Sequence, residues 1–525
     1  MSARLSEPAR NSDVKTTGEQ TAHWWRHPAV ILAAITVAGL IIRLFRLDSL
    51  PAEMWGDVSA HEYLANKVMT GDFYFDYEFG GDGPLFSYIA AAVGKVAGLS
   101  FFSLKLTGAL IGTLLIVAIY FYAETLFHSR RIGYIAAFLT AVSFWTIVMS
   151  RQAKPYILVP VFVATALTLA LRRQRILTGM VVGLGMYAQA AFWGMPILLL
   201  FMPLALPVAA VVALPFLITF AQNPSSMMGS SSYLGSKIHV ASSPVDLALR
   251  VLDNLGKNAL SFNFSGDTTF RQNISGNPHL DVISGVLFVI GLLLLMVHTI
   301  RTRDRRMAIW FLLPFLVLQI PLLADQVPSD TPNIGRLTCL LPMTIAAIAF
   351  AVDWLTVQLC RLLNGRVSRS GLVAGGVTGI VLAGITVINL TNYFEVYPRG
   401  LPNNNTPFDL VIARDMDRAP PHTTSILLGC CWGDYTQPEP QSVLYRTATG
   451  HEPSIASSMA TVRHDIRSLA PGTRVALYMD PSRRVPHDLA LRQSTEKVLR
   501  ANGWQVARVI TGVYGGPGGG SAGTG

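Results

Sequence analysis

Apolar runs near 20 residues long, set apart by short polar stretches, recur along the chain from residue 28 to residue 390. A run of that length crosses a bilayer as a helix, at about 1.5 Å per residue. The pattern predicts helices over 28–47, 103–124, 132–150, 155–171, 175–193, 282–300, 307–323, 337–358 and 371–390. The 27 residues of 195–221 are also apolar but are broken by Pro196, Pro203, Pro207 and Pro215. As helix they reach about 40 Å, short of the roughly 60 Å that two full crossings need. They read as a hairpin of two short tilted helices or as a re-entrant segment. The expected total is about eleven transmembrane helices.

The polar gaps give this path a direction. Basic residues gather in HSRR (128–131), RRQR (172–175), RTRDRR (301–306) and RLLNGRVSR (361–369). Such clusters mark cytoplasmic loops. The tail 1–27 is then cytoplasmic, the loops 48–102 and 222–281 lie outside, and 195–221 crosses an even number of times. Composition agrees: the chain is 51% hydrophobic and 14% charged, against about 25% charge in soluble globular domains. The net charge of +10 is distributed as a topology signal, so no nucleic-acid partner is expected. Of four cysteines, Cys430 and Cys431 are adjacent, and no disulfide framework is implied. No small-residue cleavage site follows the first run, which reads as a retained helix rather than a signal peptide.

Beyond residue 391 the pattern changes. TSILLGCCWG, RVALYMD and QVARVIT read as strands, and FDLVIARDMDRA, ATVRHDIRSLA and HDLALRQSTEKVLRANG have helical spacing. The fold class is therefore an all-α polytopic membrane protein over 28–390, with a small extracytoplasmic α/β domain over 391–512. A flexible Gly-rich tail, 513–525, follows. The C-terminal part carries no phosphate-loop or metal motif and is assigned no chemistry.

Charges at a membrane rim are candidates for function, and here they concentrate outside. WGDVSAHEYLANKVMTGDF (55–73) offers Asp57, His61 and Glu62; Asp72, Asp76, Glu78 and Asp82 follow. Asp57 and His61 share a helix face at i,i+4 and are expected to hydrogen-bond. A divalent metal there is possible but not favoured, because no third ligand is convincingly placed. Glu62 falls on another face and reads as solvated or structural. Arg43, Arg46, Lys105, Arg151, Lys154 and Arg336 are the cations on that side, and 265–281, SGDTTFRQNISGNPHLD, adds a polar loop.

RLDSLPAEMWGDVSAHEYLANKVMTGDF, GGDGPLFSYIAA, LKLTGALIGTLLIVAIYFYAETLF, SFWTIVMSRQAKPYILVP and NIGRLTCLLP together resemble the GT-C glycosyltransferases. The resemblance is nearest to the protein O-mannosyltransferase family and its bacterial relatives. It is good over about 40–170 and patchy to about 345. In this chain the family's acidic pair is Asp57-Val58, the Arg that begins its second helix is Lys105, and its Pro-Pro is Gly83-Pro84. The resemblance implies a multi-pass cell-membrane enzyme, its C-terminal domain outside, transferring a sugar with inversion. The donor would be a polyprenyl-phosphate sugar, with mannose the nearest analogue, and the acceptor a hydroxyl of a protein or glycolipid. It implies Asp57 as base, Lys105 and Arg151 and then Arg43 and Arg336 at the donor phosphate, and His61 and Asp82 in support. No cofactor beyond the lipid-linked donor is implied. The alternative is a polyprenyl-lipid-binding or flippase-type protein without transferase activity. A flippase should show charges along a midplane path and inverted repeats, and neither is legible.

Overall fold

The structure, a computed structural model, describes residues 28–54, 56–77, 81–224, 242–319, 331–363, 369–401, 405–428 and 440–448, with shorter stretches between 450 and 503. The tail 1–27, Glu78, the Cys430–Cys431 pair, most of the helices expected over 460–470 and 487–503, the strand expected over 505–511 and the tail 513–525 lie outside the described residues.

The first apolar run forms α1, Pro28–Leu44. The expected outer loop then folds into two helices of its own, α2 (Gly56–Met69) and α3 (Leu85–Ala97). Next comes α4, Phe101–Phe127, whose start is fixed by a reciprocal Ser100–Ser103 capping box. The helix expected over 132–150 is broken into α5 (Arg130–Val142) and α6 (Phe144–Arg151), bent by 55°. The break is anchored at its centre, where the Phe144 N–H donates to Asn389 Oδ1 at 2.7 Å instead of to a carbonyl one turn back.

After α7 (Leu158–Leu171), the run expected over 175–193 stops early as α8, Arg175–Gly185. The proline-rich stretch then yields short pieces, among them α9 (Ala205–Val212) and α10 (Leu214–Gln222), bent by 63°. α9 packs closely on α8: a Cβ at Gly179 would stand 2.4 Å from the Ala205 carbonyl oxygen, and one at Gly183 2.6 Å from that of Ala209. Small residues permit this approach, the usual basis of helix association in lipid.

In the second loop expected to lie outside is α11, Pro244–Ser261. It exposes Val245, Leu249 and Leu252 and buries Asn254, Asn258 and Ser261. Apolar groups outward and polar groups inward suit a helix lying along a lipid surface. The bundle is completed by α12 (Val282–Thr302), α13 (Leu341–Leu363) and α14 (Ser370–Thr391). Among the described residues four helical stretches are long and apolar enough to cross a bilayer, or six if each bent pair is one span. Three other expected crossings fall on the shorter apolar helices α1, α7 and α8, and the end of the one expected over 307–323 lies outside the described residues. The stretch Ser370–Gly400 is buried along only 11% of its apolar window, so most of that surface is left uncovered by the described residues.

Beyond the bundle, α15 (Phe408–Arg418) precedes a parallel sheet of β1 (Thr423–Leu428), β2 (Ser454–Ala456) and β3 (Arg474–Met479), with β1 in the centre. Ala413 and Met416 of α15 pack with Leu427 of β1 and Val443. β2 escaped the sequence reading because three residues show no alternation.

Candidate active site

Asp57 stands in the first turn of α2, where the helix dipole favours a carboxylate. Its side chain is half exposed, and it is paired with the Lys154 ammonium, only 9% exposed. Lys154 reaches this position from the connection after α6, where Ala153 is held fully buried in the left-handed conformation at φ 57°. Such a conformation is costly for a residue with a Cβ and persists only where surrounding structure enforces it. The facing Lys154 charge holds the Asp57 carboxyl well below the usual carboxylate range, with Arg271 and His61 adding to the effect.

The expected hydrogen bond between Asp57 and His61 does not form. His61 is buried and its Nε2 meets Asp82 Oδ2 at 3.2 Å, while its ring packs edge-on to Phe86 at 5.5 Å. A common helix face did not suffice, because the His61 side chain points into the protein and the Asp57 side chain toward its surface. Asp82 itself is fixed by a short antiparallel pairing of 81–85 with 187–190, in which Gly83 N–H donates to Ala188 O and Leu85 N–H to Tyr187 O. Gly83 is required there: a Cβ would lie 2.2 Å from the Tyr187 carbonyl oxygen.

Two further cations come into this field from distant segments. Arg336 hydrogen-bonds Tyr156 and acts electrostatically on it together with Asp82. Arg271 comes from the 265–281 loop, held in place where its carbonyl accepts from the side chains of Gln152 and Tyr397. The loop is itself tied down by Asp267, whose Oδ2 accepts from Ile334 N at 3.0 Å. Arg271 was not singled out in the sequence; its only signal there was being the one arginine or lysine in 265–281. Tyr156 was missed altogether, since a tyrosine at an apolar helix start looks like core.

The other three expected cations are placed differently. Arg151 is fully buried and gives five hydrogen bonds to the carbonyls of Ile42, Arg43, Phe45, Arg46 and Leu50. These include carbonyls that the end of α1 leaves without helical partners. Arg43, also fully buried, donates to Gly39, Thr140 and Ala141 carbonyls and to Ser150 and Thr146 hydroxyls. It fits there because α4 presents Gly112, where a Cβ would stand 3.1 Å from Arg43 Nε. Lys105 donates to the Pro51 carbonyl at 2.8 Å and is buried over the Phe101 ring. A buried cation needs local partners for its donors, and these three find theirs mainly on main-chain carbonyls of α1, α5 and the segment 42–51.

The segment before Asp57 is clamped from the C-terminal side. Arg446 donates from Nε to Asp409 Oδ2 at 2.7 Å and from Nη2 to Ala52 O at 2.8 Å, and Asp409 also accepts from Met54 N. Asn405 bridges Ser49 O and Ala52 N, both at 2.8 Å. Glu53 faces Asp409, and burial followed by that neighbour pushes its carboxyl well above the ordinary range.

Val58, where the second family acid would stand, is 1% exposed within the apolar core that includes Leu50, Met54 and Leu64. Glu62 is buried rather than solvated, and burial pushes its carboxyl up to about 7 with Arg446 opposing. A carboxyl raised on folding contributes stability below its unfolded pKa and loses it as pH rises through the folded value. Glu62→Gln should therefore gain stability over the parent between pH 5 and pH 8, by on the order of 2 kcal/mol. Thermal midpoints of both proteins at the two pH values check this; an equal difference at both would refute it.

No three of His, Cys, Asp and Glu converge as metal ligands among the described residues. Asp57 already faces an ammonium group and His61 faces Asp82, a donor set that does not fit a divalent ion.

Residues 82–222 match the family described as dolichyl-phosphate-mannose-protein mannosyltransferase. The fold resembles that of ArnT from Cupriavidus metallidurans, in the apo state (TM-score 0.51, 11% identity, covering 89% of this chain and 94% of that one) and bound to undecaprenyl phosphate (TM-score 0.50, 13% identity, 87% and 90%). It also resembles the archaeal oligosaccharyltransferase AglB from Archaeoglobus fulgidus, solved with an inhibitory peptide and a dolichol-phosphate (TM-score 0.50, 12% identity). That match covers 83% of this chain and 65% of AglB, so this chain spans about two thirds of its length. A search of curated proteins returned no match. Over 82–222 the chain is thus similar to the protein mannosyltransferase family, and in fold it is similar to ArnT and AglB, as the resemblance read from the sequence implies.

Proposed function

We propose that the chain transfers a sugar from a polyprenyl-phosphate donor to an acceptor hydroxyl on the extracytoplasmic side, with inversion at the anomeric carbon. The observation that carries this reading is the half-exposed Asp57 carboxylate held ionised by a buried Lys154 at the rim of an apolar bundle. An ionised carboxylate with one open side can accept a hydrogen bond from an acceptor hydroxyl and take its proton. The new bond joins that oxygen to the anomeric carbon; the bond to the phosphate oxygen breaks, and polyprenyl phosphate leaves. Negative charge grows on the leaving phosphate, and fixed cations stabilise it. Arg336 and Arg271, which share the electrostatic field of Asp57, Asp82 and Tyr156, are assigned that role. Lys105, Arg151 and Arg43 keep the surrounding backbone in place.

Undecaprenyl phosphate and dolichol-phosphate bound in two proteins of this fold support a polyprenyl-phosphate donor. Mannose is the sugar assigned, from the family matched over 82–222, and the acceptor is a protein or glycolipid hydroxyl. In this reading the N-terminus is cytoplasmic and the C-terminal domain lies outside. Protein reconstituted in nanodiscs, offered polyprenyl-phosphate mannose or a nucleotide-linked mannose with a serine-containing peptide or a glycolipid, should consume only the lipid-linked donor. Consumption of the nucleotide sugar alone would refute the reading.

A further inference from the structure

The end of the bundle remote from Asp57 carries a second charged cleft. α4 runs from Lys105, beside Pro51, to Glu124, Thr125 and the capping His128, and α7 runs from the neighbourhood of Tyr156 to Arg172. Some twenty helical residues cover about 30 Å, so a bilayer's thickness separates this end from the candidate active site. The cleft there has a volume of about 780 Å³ and is rimmed by Arg172, Arg173, Arg175, Arg305 and Arg306. Among the described residues Glu124 is the one carboxylate in its lining.

The arginines divide into two groups. Arg172 is engaged by Glu124 and Thr125, and Arg306 by His128 and the Thr125 carbonyl, so these two build the wall. Arg173, Arg175 and Arg305 are exposed, and among the described residues no side-chain partner holds them. Phe201, Ile309 and Trp310 supply an apolar side to the same cleft, and Phe201 is 49% exposed. Unengaged guanidinium groups match phosphate oxygens in geometry and charge. An apolar wall beside them is what the first methylenes of an acyl chain would cover, and a free phosphate would leave it bare.

We propose that this cleft binds the phosphate headgroup of an anionic phospholipid in the leaflet opposite the active site. Basic pockets between helices at a cytoplasmic membrane face take such headgroups. The site is separate from the donor site in position and in residues, and it does not depend on sugar transfer.

Binding can be read without activity. Purified full-length protein in neutral detergent is titrated with dioctanoyl phosphatidic acid, with dioctanoyl phosphatidylcholine and with inorganic pyrophosphate. The wild type should bind phosphatidic acid saturably, far more tightly than either of the others. The triple variant Arg173→Gln, Arg175→Gln, Arg305→Gln should bind it on the order of a hundredfold more weakly, at about fivefold per surface charge removed. The corresponding triple change to Lys, which keeps the charges, should stay within about tenfold of wild type. Should the glutamine triple fail to fold, Arg305→Gln alone, about fivefold weaker, decides the same question. Equal binding by wild type and glutamine variant would overturn the proposal. So would pyrophosphate binding as tightly as phosphatidic acid, which would mark a site for a soluble phosphate.

Discussion

Asp57→Asn should leave donor binding intact and lower kcat by about 10³-fold, within the range that a positioned general base supplies. The change is nearly isosteric and keeps a hydrogen-bonding group beside Lys154, so the connection after α6 stays in place. What is lost is the negative charge to which the proposed mechanism assigns orientation and deprotonation of the acceptor hydroxyl. The same pairing sets the pH dependence. Lys154 depresses the Asp57 pKa below the carboxylate range, so the working, ionised form persists as pH falls. The acid limb of kcat/KM above pH 5 should therefore owe nothing to Asp57. The assay is steady-state transfer by wild type and variant, with donor affinity measured separately. Turnover within tenfold of wild type would remove Asp57 from the mechanism.

Arg151→Met should destabilise the protein by about 3–5 kcal/mol, because several buried carbonyls lose their donor at once and each costs about 1–3 kcal/mol unsatisfied. Those carbonyls belong to the end of α1 and the turn leading toward Asp57. Tyr393 and Phe394, whose rings lie 5.2 and 5.5 Å from the Arg151 guanidinium, also lose their cation. A loss of that size is a large share of a typical folding free energy. A sharp drop in the thermal midpoint and in monodisperse yield in detergent is expected. Arg151→Lys should recover only part of it, since an ammonium group cannot span carbonyls spread over 42–50. A Met variant as stable as the parent would show that Arg151 is not the clamp of α1.

The bundle was legible because lipid imposes a length on apolar helices, and α4, α12, α13 and α14 answer to it directly. The breaks were less legible. Pro215 announced the bend between α9 and α10, but nothing local announced the one at Ser143, which depends on Asn389 from a helix far along the chain. At the site, Asp57 and Asp82 stood out as membrane-rim acids. The cations were harder to rank, because burial cannot be read from an arginine's position at a helix end. Arg43 and Arg151 are fully buried on main-chain carbonyls, and Arg271 comes near Asp57 from the distant 265–281 loop. His61 illustrates the same limit: helical spacing placed it on the face of Asp57, and tertiary packing turned it to Asp82.

Direct transfer from a lipid phosphate to a hydroxyl held by Asp57 is tested most directly by the anomeric configuration of the product. Wild-type protein in nanodiscs would be given a polyprenyl-phosphate sugar of one anomeric form, labelled with carbon-13 at the anomeric carbon, together with an acceptor. NMR of the product would be paired with a count of polyprenyl phosphate released. One polyprenyl phosphate per sugar transferred and a wholly inverted product are predicted. Retained configuration, or sugar transfer without release of the lipid phosphate, would contradict it.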